Sequence, residues 1–323
     1  MMNRHARRLI VVLAWVALGL ACGGGQSGPG EEDTPVIAPA AVLVDTIIEG
    51  MVFGKPLSNP YGLAVDFRGT VYLTDAGNNR LITFNSELAP RSEVGGFGAG
   101  PGSFDRPGYL AVDNGMSVMI ADRGNSRLCR YNSRLQYVNE INLIEFEDPG
   151  MFGRPSGVAL TDYGEVWMSD PDKDRVVLFD NTGNFDRYIA EFGYSGGQVS
   201  SPEAIVSDGR DGFFVCDAGN SRITRYDRFG NFTDALGEDA LQYPVSATVD
   251  GDGRIWVVDQ ALSAVTCLDR NGKVLLETGS RLPGATRSLR NPADIVVLSD
   301  GRLMISDSGN NRLIICHIVA TEN

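Results

Sequence analysis

Six aspartates are the first residues in this chain whose type and spacing could do chemistry: Asp75, Asp122, Asp170, Asp217, Asp259 and Asp307. Five residues beyond each stands Arg80, Arg127, Arg175, Arg222, Ala264 or Arg312, so all but the fifth carboxylate have a guanidinium in step. Such a pair could polarise a substrate if one copy differed from the others. A strict recurrence argues instead for a structural pair that satisfies turn amides and holds a hairpin, because a site needs asymmetry.

The asymmetric candidates are Tyr61, Tyr109, Glu203, Ser246 and Asp294, each one or two residues beyond a proline. Two carboxylates, a hydroxyl and two phenols could line a small-molecule or peptide pocket. The alternative is a set of solvated rim residues. As calcium ligands, Glu203 and Asp294 would underfill a shell of roughly six to eight oxygens unless carbonyls or waters completed it. Asp250 to Arg254, DGDGR, lacks the downstream acid of a calcium loop and reads as a tight hairpin. No catalytic residue and no cofactor is assigned, and calcium enters only under an enzymatic alternative. No GxSxG is present, and beyond the first residues the one histidine is His317, in the last apolar run. Cys129, Cys216, Cys267 and Cys316 each sit in a separate apolar run without a CxxC, and are expected to be buried thiols.

The elements that must position these residues come from a repeat. Pro60 to Leu81 reads PYGLAVDFRGTVYLTDAGNNRL: a proline, an apolar run, a turn at Arg68-Gly69, a second run to Asp75, then a turn through Gly77-Asn78-Asn79. Short apolar and β-branched runs between Gly and Asn signals describe consecutive antiparallel strands, and nothing in the block reads as a helix. The prolines are Pro60, Pro107, Pro155, Pro202, Pro244 and Pro292; both they and the aspartates step by 47, 48, 47, 42 and 48. Two markers in one phase, with several strands per period, are the mark of β-propeller blades. Runs such as Val176 to Phe179 are apolar at consecutive positions, as a sheet covered on both faces requires.

The turns DAGNNR, DRGNSR, DPDKDR, DAGNSR, DQALSA and DSGNNR, with their prolines, resemble NHL repeats over residues 42 to 318. The resemblance implies an all-β, six-bladed propeller of four-stranded antiparallel blades. It does not imply one function: such propellers include binding platforms, sensors, RNA-binding surfaces and some lyases. Lyases of this fold rely on histidines, and no such set exists here to carry over.

Each block supplies three strands, and a fourth follows, as in Arg187 to Phe192. The last block stops after its third strand, while Val42 to Glu49, VLVDTIIE, precedes the first proline where a fourth strand belongs. The N-terminal strand is therefore expected to pair with the last blade and close the ring.

Before the propeller, taken as residues 41–320, Arg4, Arg7 and Arg8 precede an apolar run from Leu9 to Leu20, the layout of an export signal over 1–21. LGLAC then resembles a bacterial lipoprotein cleavage site with Cys22 as the acylated residue, and 22–40 reads as a flexible tether. Gly23 after the cysteine resembles lipoproteins sent to the outer membrane. Removing those three arginines from the formal charge of −13 leaves −16, which disfavours nucleic acid and an anionic bilayer surface as partners. The expectation is a monomeric, lipid-anchored envelope propeller facing periplasm or cell surface. It would bind a protein, peptide or glycan without catalysis, and the alternative is a calcium-assisted hydrolase or lyase at the channel mouth.

Strand alternation puts the loops before each proline on one side of the disc with the Gly-Asn turns. The turns after Asp66 and its counterparts lie on the other. That second side is acidic. The first carries Lys55, Arg106, Arg123, Arg154, Arg281, Arg287 and Arg290 among its acids and has the longer loops, so it is the expected binding side. Blade five, without Gly-Asn-Arg and with a shortened approach from Thr233 to Pro244, is read as a drifted copy.

Overall fold

The computed structural model describes residues 36–113, 117–148 and 150–321, which belong to one compact unit. The leader, Cys22 and most of the tether lie outside the described residues.

Six four-stranded antiparallel sheets form the blades. In blade one the strands run Pro60–Val65, Val71–Asp75, Arg80–Phe84 and Pro90–Gly95, from the innermost outward. The inner strands of neighbouring blades touch in sequence, and that of blade six touches that of blade one, so the ring is closed. Between every pair of neighbouring blades lies an apolar layer. Leu73, Phe84, Met304 and Ile315 fill the one between blades six and one; Trp256, Val258, Ile295 and Ile305 fill the one before it. This is why the strands lack alternation: both faces of each sheet are dry.

The sixth sheet has the predicted mixed origin. Pro39–Glu49 pairs antiparallel with Arg312–Ala320, placing Ile47 opposite Ile314 and Val44 opposite Cys316. The strand starts at Pro39, ahead of the expected Val42, because Pro39 and Ala41 still find partners in Ala320 and Val319. Ser306 Oγ donates to Tyr61 O (2.6 Å) and Asn59 N–H to Asn311 Oδ1 (2.8 Å), adding side-chain ties across the same seam.

Two local readings need correction. The Gly-Asn turns of blades one, two, four and six each wind a single 3-10 turn, for example Ala76–Asn78, ending on a residue with positive φ such as Asn79 (54°) or Ser126 (49°). One turn of helix has too short a hydrophobic period to be read from sequence. In blade three the inner strand covers Val158–Leu160, whereas the other five begin at their prolines.

The recurring ion pairs are structural. Arg80 Nε lies 2.7 Å from Asp75 Oδ2, and Arg127, Arg222 and Arg312 repeat the contact at 2.7–2.9 Å. Each of these carboxylates also caps the loop before its own proline: Asp75 accepts Ser58 N–H and Asp307 accepts Arg290 N–H. Blade five manages without the arginine because Asp259 accepts three backbone amides, from Gln242, Tyr243 and Leu262. Asp66, Asp208 and Asp250 accept amides two and four residues ahead, as turn residues do. The four cysteines from Cys129 onward are buried and free.

Candidate functional site

The five candidate side chains meet at the centre of the ring. Tyr109 leaves the inner strand of blade two (Pro107–Val112) and crosses the channel. Its ring joins the apolar layer between blades four and five, beside Ala204, Phe214 and Ala247. Its hydroxyl lies 2.8 Å from Val245 O and 3.0 Å from Ala293 O, so one proton is shared between carbonyls of blades five and six. Tyr61 packs edge-on against it, with ring centroids 4.9 Å apart. Close packing of these inner strands needs small residues: a Cβ on Gly62 would lie 2.7 Å from Gly108 O.

Asp294 lies beside this pair and is buried. Its carboxylate accepts the Ser246 hydroxyl, Leu63 N–H (2.6 Å) and Ile295 N–H (2.8 Å). Three donors do not offset the loss of water, and burial raises its pKa to about 7. Glu203, half-buried, accepts the Ser156 hydroxyl at 2.6 Å; burial raises its pKa too, with the Ser156 bond and Arg123 opposing. Burial likewise pushes the Tyr109 phenol well up, and the neighbouring Tyr61 adds to it. Tyr109, Ser246 and Asp294 are therefore not the solvated rim of the alternative reading. They form a plug whose polar atoms are largely satisfied by one another and by backbone.

The plug stands between two cavities. On the side of the Asp66-type turns a well of about 330 Å³ is walled by the inner strands and touches Tyr109 and Asp294. On the proline side a cavity of about 200 Å³ has Tyr61, Arg106, Arg123 and Arg154 in its walls. Sequence reading named these arginines separately but did not see them converge. Their signal was positional: Arg106 and Arg154 both stand just before a proline, in consecutive blades. His317 is remote from the channel, on the outer pair of strands, with Nδ1 2.6 Å from Asp45. Among the described residues no group of three or more His, Cys, Asp or Glu side chains comes together as a metal site.

The carboxyl of Asp294 predicts a pH dependence. The unfolded chain releases this proton near 3.8, the folded chain near 7, so stability falls as pH rises through that window. Asn at 294 does not titrate. In urea melts of wild type and Asp294→Asn, the wild type is expected to lose on the order of 4 kcal/mol relative to the variant between pH 4 and 8. Parallel stability curves would rule out the buried-proton assignment.

Residues 289–316 match the family model of the NHL repeat. A relative, Protein brain tumor of Drosophila melanogaster, is 33% identical over 132 residues, covering 40% of this chain and 13% of that protein's own length. Among solved structures, a protein of unknown function from Bacteroides thetaiotaomicron superposes with a TM-score of 0.63 at 17% identity, covering 88% of this chain and 75% of the other. A catalytically inactive virginiamycin B lyase from Staphylococcus aureus with quinupristin gives 0.61 at 18%, covering 85% and 88%. At such identities these structures show the shared fold alone. Six phased Pro-Asp blocks and six four-stranded blades make the chain a six-bladed β-propeller, and its last blade matches the NHL repeat.

Proposed function

We propose that this propeller is a non-catalytic interaction module that holds a protein partner on its proline side. One observation carries the reading. The segments that leave the outermost strands and lead into blades one to four present exposed apolar side chains: Met51 and Phe53, Phe97, Ile144, then Phe192 and Tyr194. The segments into blades five and six present no large exposed apolar residue, so the pattern is an arc and not a uniform rim. The opposite side also exposes Phe67, Tyr163 and Phe229, but among the described residues in blades one, three and four only, whereas the arc runs through four successive blades, and a continuous run of that kind marks an interface. The Phe-Gly pair recurs in the sequence at Phe53, Phe97 and Phe192 of the arc, but also at the buried Phe152 and at Phe229 on the opposite side, so the sequence alone did not single the arc out.

The rest of the proposal places the module in a bacterial envelope. The 1–21 signal is removed, Cys22 is acylated, and the ring hangs from the tether at the outer membrane. Photocrosslinking residues placed at Phe192 and at Phe229, on the opposite side, test the partner reading in intact cells. Discrete adducts from position 192, lost in a Phe97→Ser/Tyr194→Ser background, are expected. Adducts from position 229 alone would overturn it. Labelled palmitate incorporated into the chain but not into Cys22→Ser tests the anchor. The calcium-assisted alternative requires metal that leaves with Glu203→Ala or Asp294→Ala.

A further inference from the structure

Three arginines of the proline side stand at inner-strand entrances and turns of two adjacent blades, apart from Arg281, Arg287 and Arg290 in the loop into blade six. The residue before the opening proline is Asn59, Ser201, Tyr243 or Asn291 in four blades, but Arg106 and Arg154 in blades two and three. The residue after the turn aspartate is Ala76, Pro171, Ala218, Gln260 or Ser308 in five blades, but Arg123 in blade two. The fold gathers these three arginines around one cavity, with Tyr61 in its wall, on the channel side of the exposed apolar arc.

Their present partners leave donors to spare. Arg154 is gripped through Nε and Nη2 by the two oxygens of Asp172, at 2.8 and 2.9 Å, which fixes its plane. Arg106 is 69% exposed and meets Asp105 through a single contact of 3.2 Å. It is also held at a φ of 50°, a left-handed conformation that blades one and six assign to Asn59 and Asn291. Arg123 reaches the Ser156 hydroxyl at 3.4 Å and pairs with no carboxylate among the described residues. The nearby Glu203 gives an oxygen to Ser156 instead. A half-buried guanidinium with unfilled donors, in a small cavity, matches a planar two-oxygen anion. Asp105 and Asp172 contact two of the three guanidiniums, and the third, Arg123, has Glu203 nearby but turned to Ser156, which leaves its donors open to one carboxylate; the chain's net negative charge opposes a polyanion.

We propose that this cavity receives a single carboxylate of the protein partner, an Asp or Glu side chain or a chain terminus, while apolar residues flanking it lie on the arc. The inference rests on the partner reading above. The test is selection of displayed random twelve-residue peptides on the full chain, followed by affinity measurements. Selected peptides are expected to share a carboxylate near an aromatic residue, and to bind at least tenfold more weakly when that carboxylate is made an amide. Arg123→Gln is expected to cause the same loss with an unshifted melting temperature. Peptides that lose affinity with Phe192→Ser but ignore Arg123→Gln and the amide change would overturn the pocket and leave the interaction face standing. Indifference to all three, or no carboxylate-dependent peptide, would overturn the pocket. The first of these outcomes would also count against the face. Displacement of the peptides by a short single-stranded oligonucleotide, at concentrations where acetate has no effect, would reassign the cavity to phosphate.

Discussion

Deleting residues 39–49 is expected to abolish the cooperative melt or lower its midpoint by roughly 10 °C or more. The strand supplies the fourth member of the sixth sheet and buries Val42 in the layer between blades five and six. Val44 packs against that same layer and Ile48 against the next one. Burial of these side chains contributes on the order of 5 kcal/mol, and each kcal/mol moves the midpoint of a chain this long by roughly 2–4 °C. Deletion also strips the edge of Arg312–Ala320, leaving an apolar strand open to pairing with other chains. Val42→Ala keeps the backbone pairing and is expected to lower stability by roughly 1–3 kcal/mol with the transition still sharp. A deletion variant whose melt is sharp and unshifted would mean that the seam is held by Ser306, Asn59 and inner-strand packing alone.

That seam was legible in the sequence because it is a matter of counting. Three strands per block, and an orphan apolar run just where a fourth belongs, fix the partner of Val42 to Glu49 without any knowledge of distance. The Asp-Arg pairs were legible for a related reason: symmetry exposed them as parts of every blade. The single helical turns at Ala76–Asn78 and its counterparts escaped, since three residues carry no period. What happens in the channel was not legible either. Tyr109 is the second residue after its proline, like Ser246 and Asp294, and nothing in that position says that its side chain crosses to carbonyls of blades five and six. Whether a phenol reaches across depends on the width of the ring, a property of all six blades at once. The arginine cavity failed to appear for the converse reason. Arg106, Arg123 and Arg154 are far apart in the chain, and only the equivalence of blade positions brings them together.

The second large effect concerns the ion pair in the closing blade. Arg312 and Asp307 side chains are both fully buried, with Nε 2.7 Å from Oδ2, and Arg312 Nη2 also donates to Arg287 O at 3.0 Å. Nη1 has no partner, so the guanidinium is already incompletely compensated for its lost water. Arg312→Ala removes that burden but leaves the Asp307 carboxylate in the dry interior with only Arg290 N–H and the Asn310 amide as donors. Loss of one partner of such a pair costs about 3–5 kcal/mol. Blade five sets the comparison: Asp259 persists without a guanidinium because three backbone amides serve it. If the carboxylate is the indispensable half, Asp307→Ala will cost more than Arg312→Ala, because it also releases the loop before Pro292 and strands the buried arginine. Urea titrations of the two single variants and the double variant decide this. The double variant should be no worse than Asp307→Ala alone, since Arg312 has little left to hold once its carboxylate is gone. Arg312→Ala within about 1 kcal/mol of wild type would instead show that the guanidinium contributes no more than a surface pair does, and that its recurrence in five blades reflects the turn and not the bond.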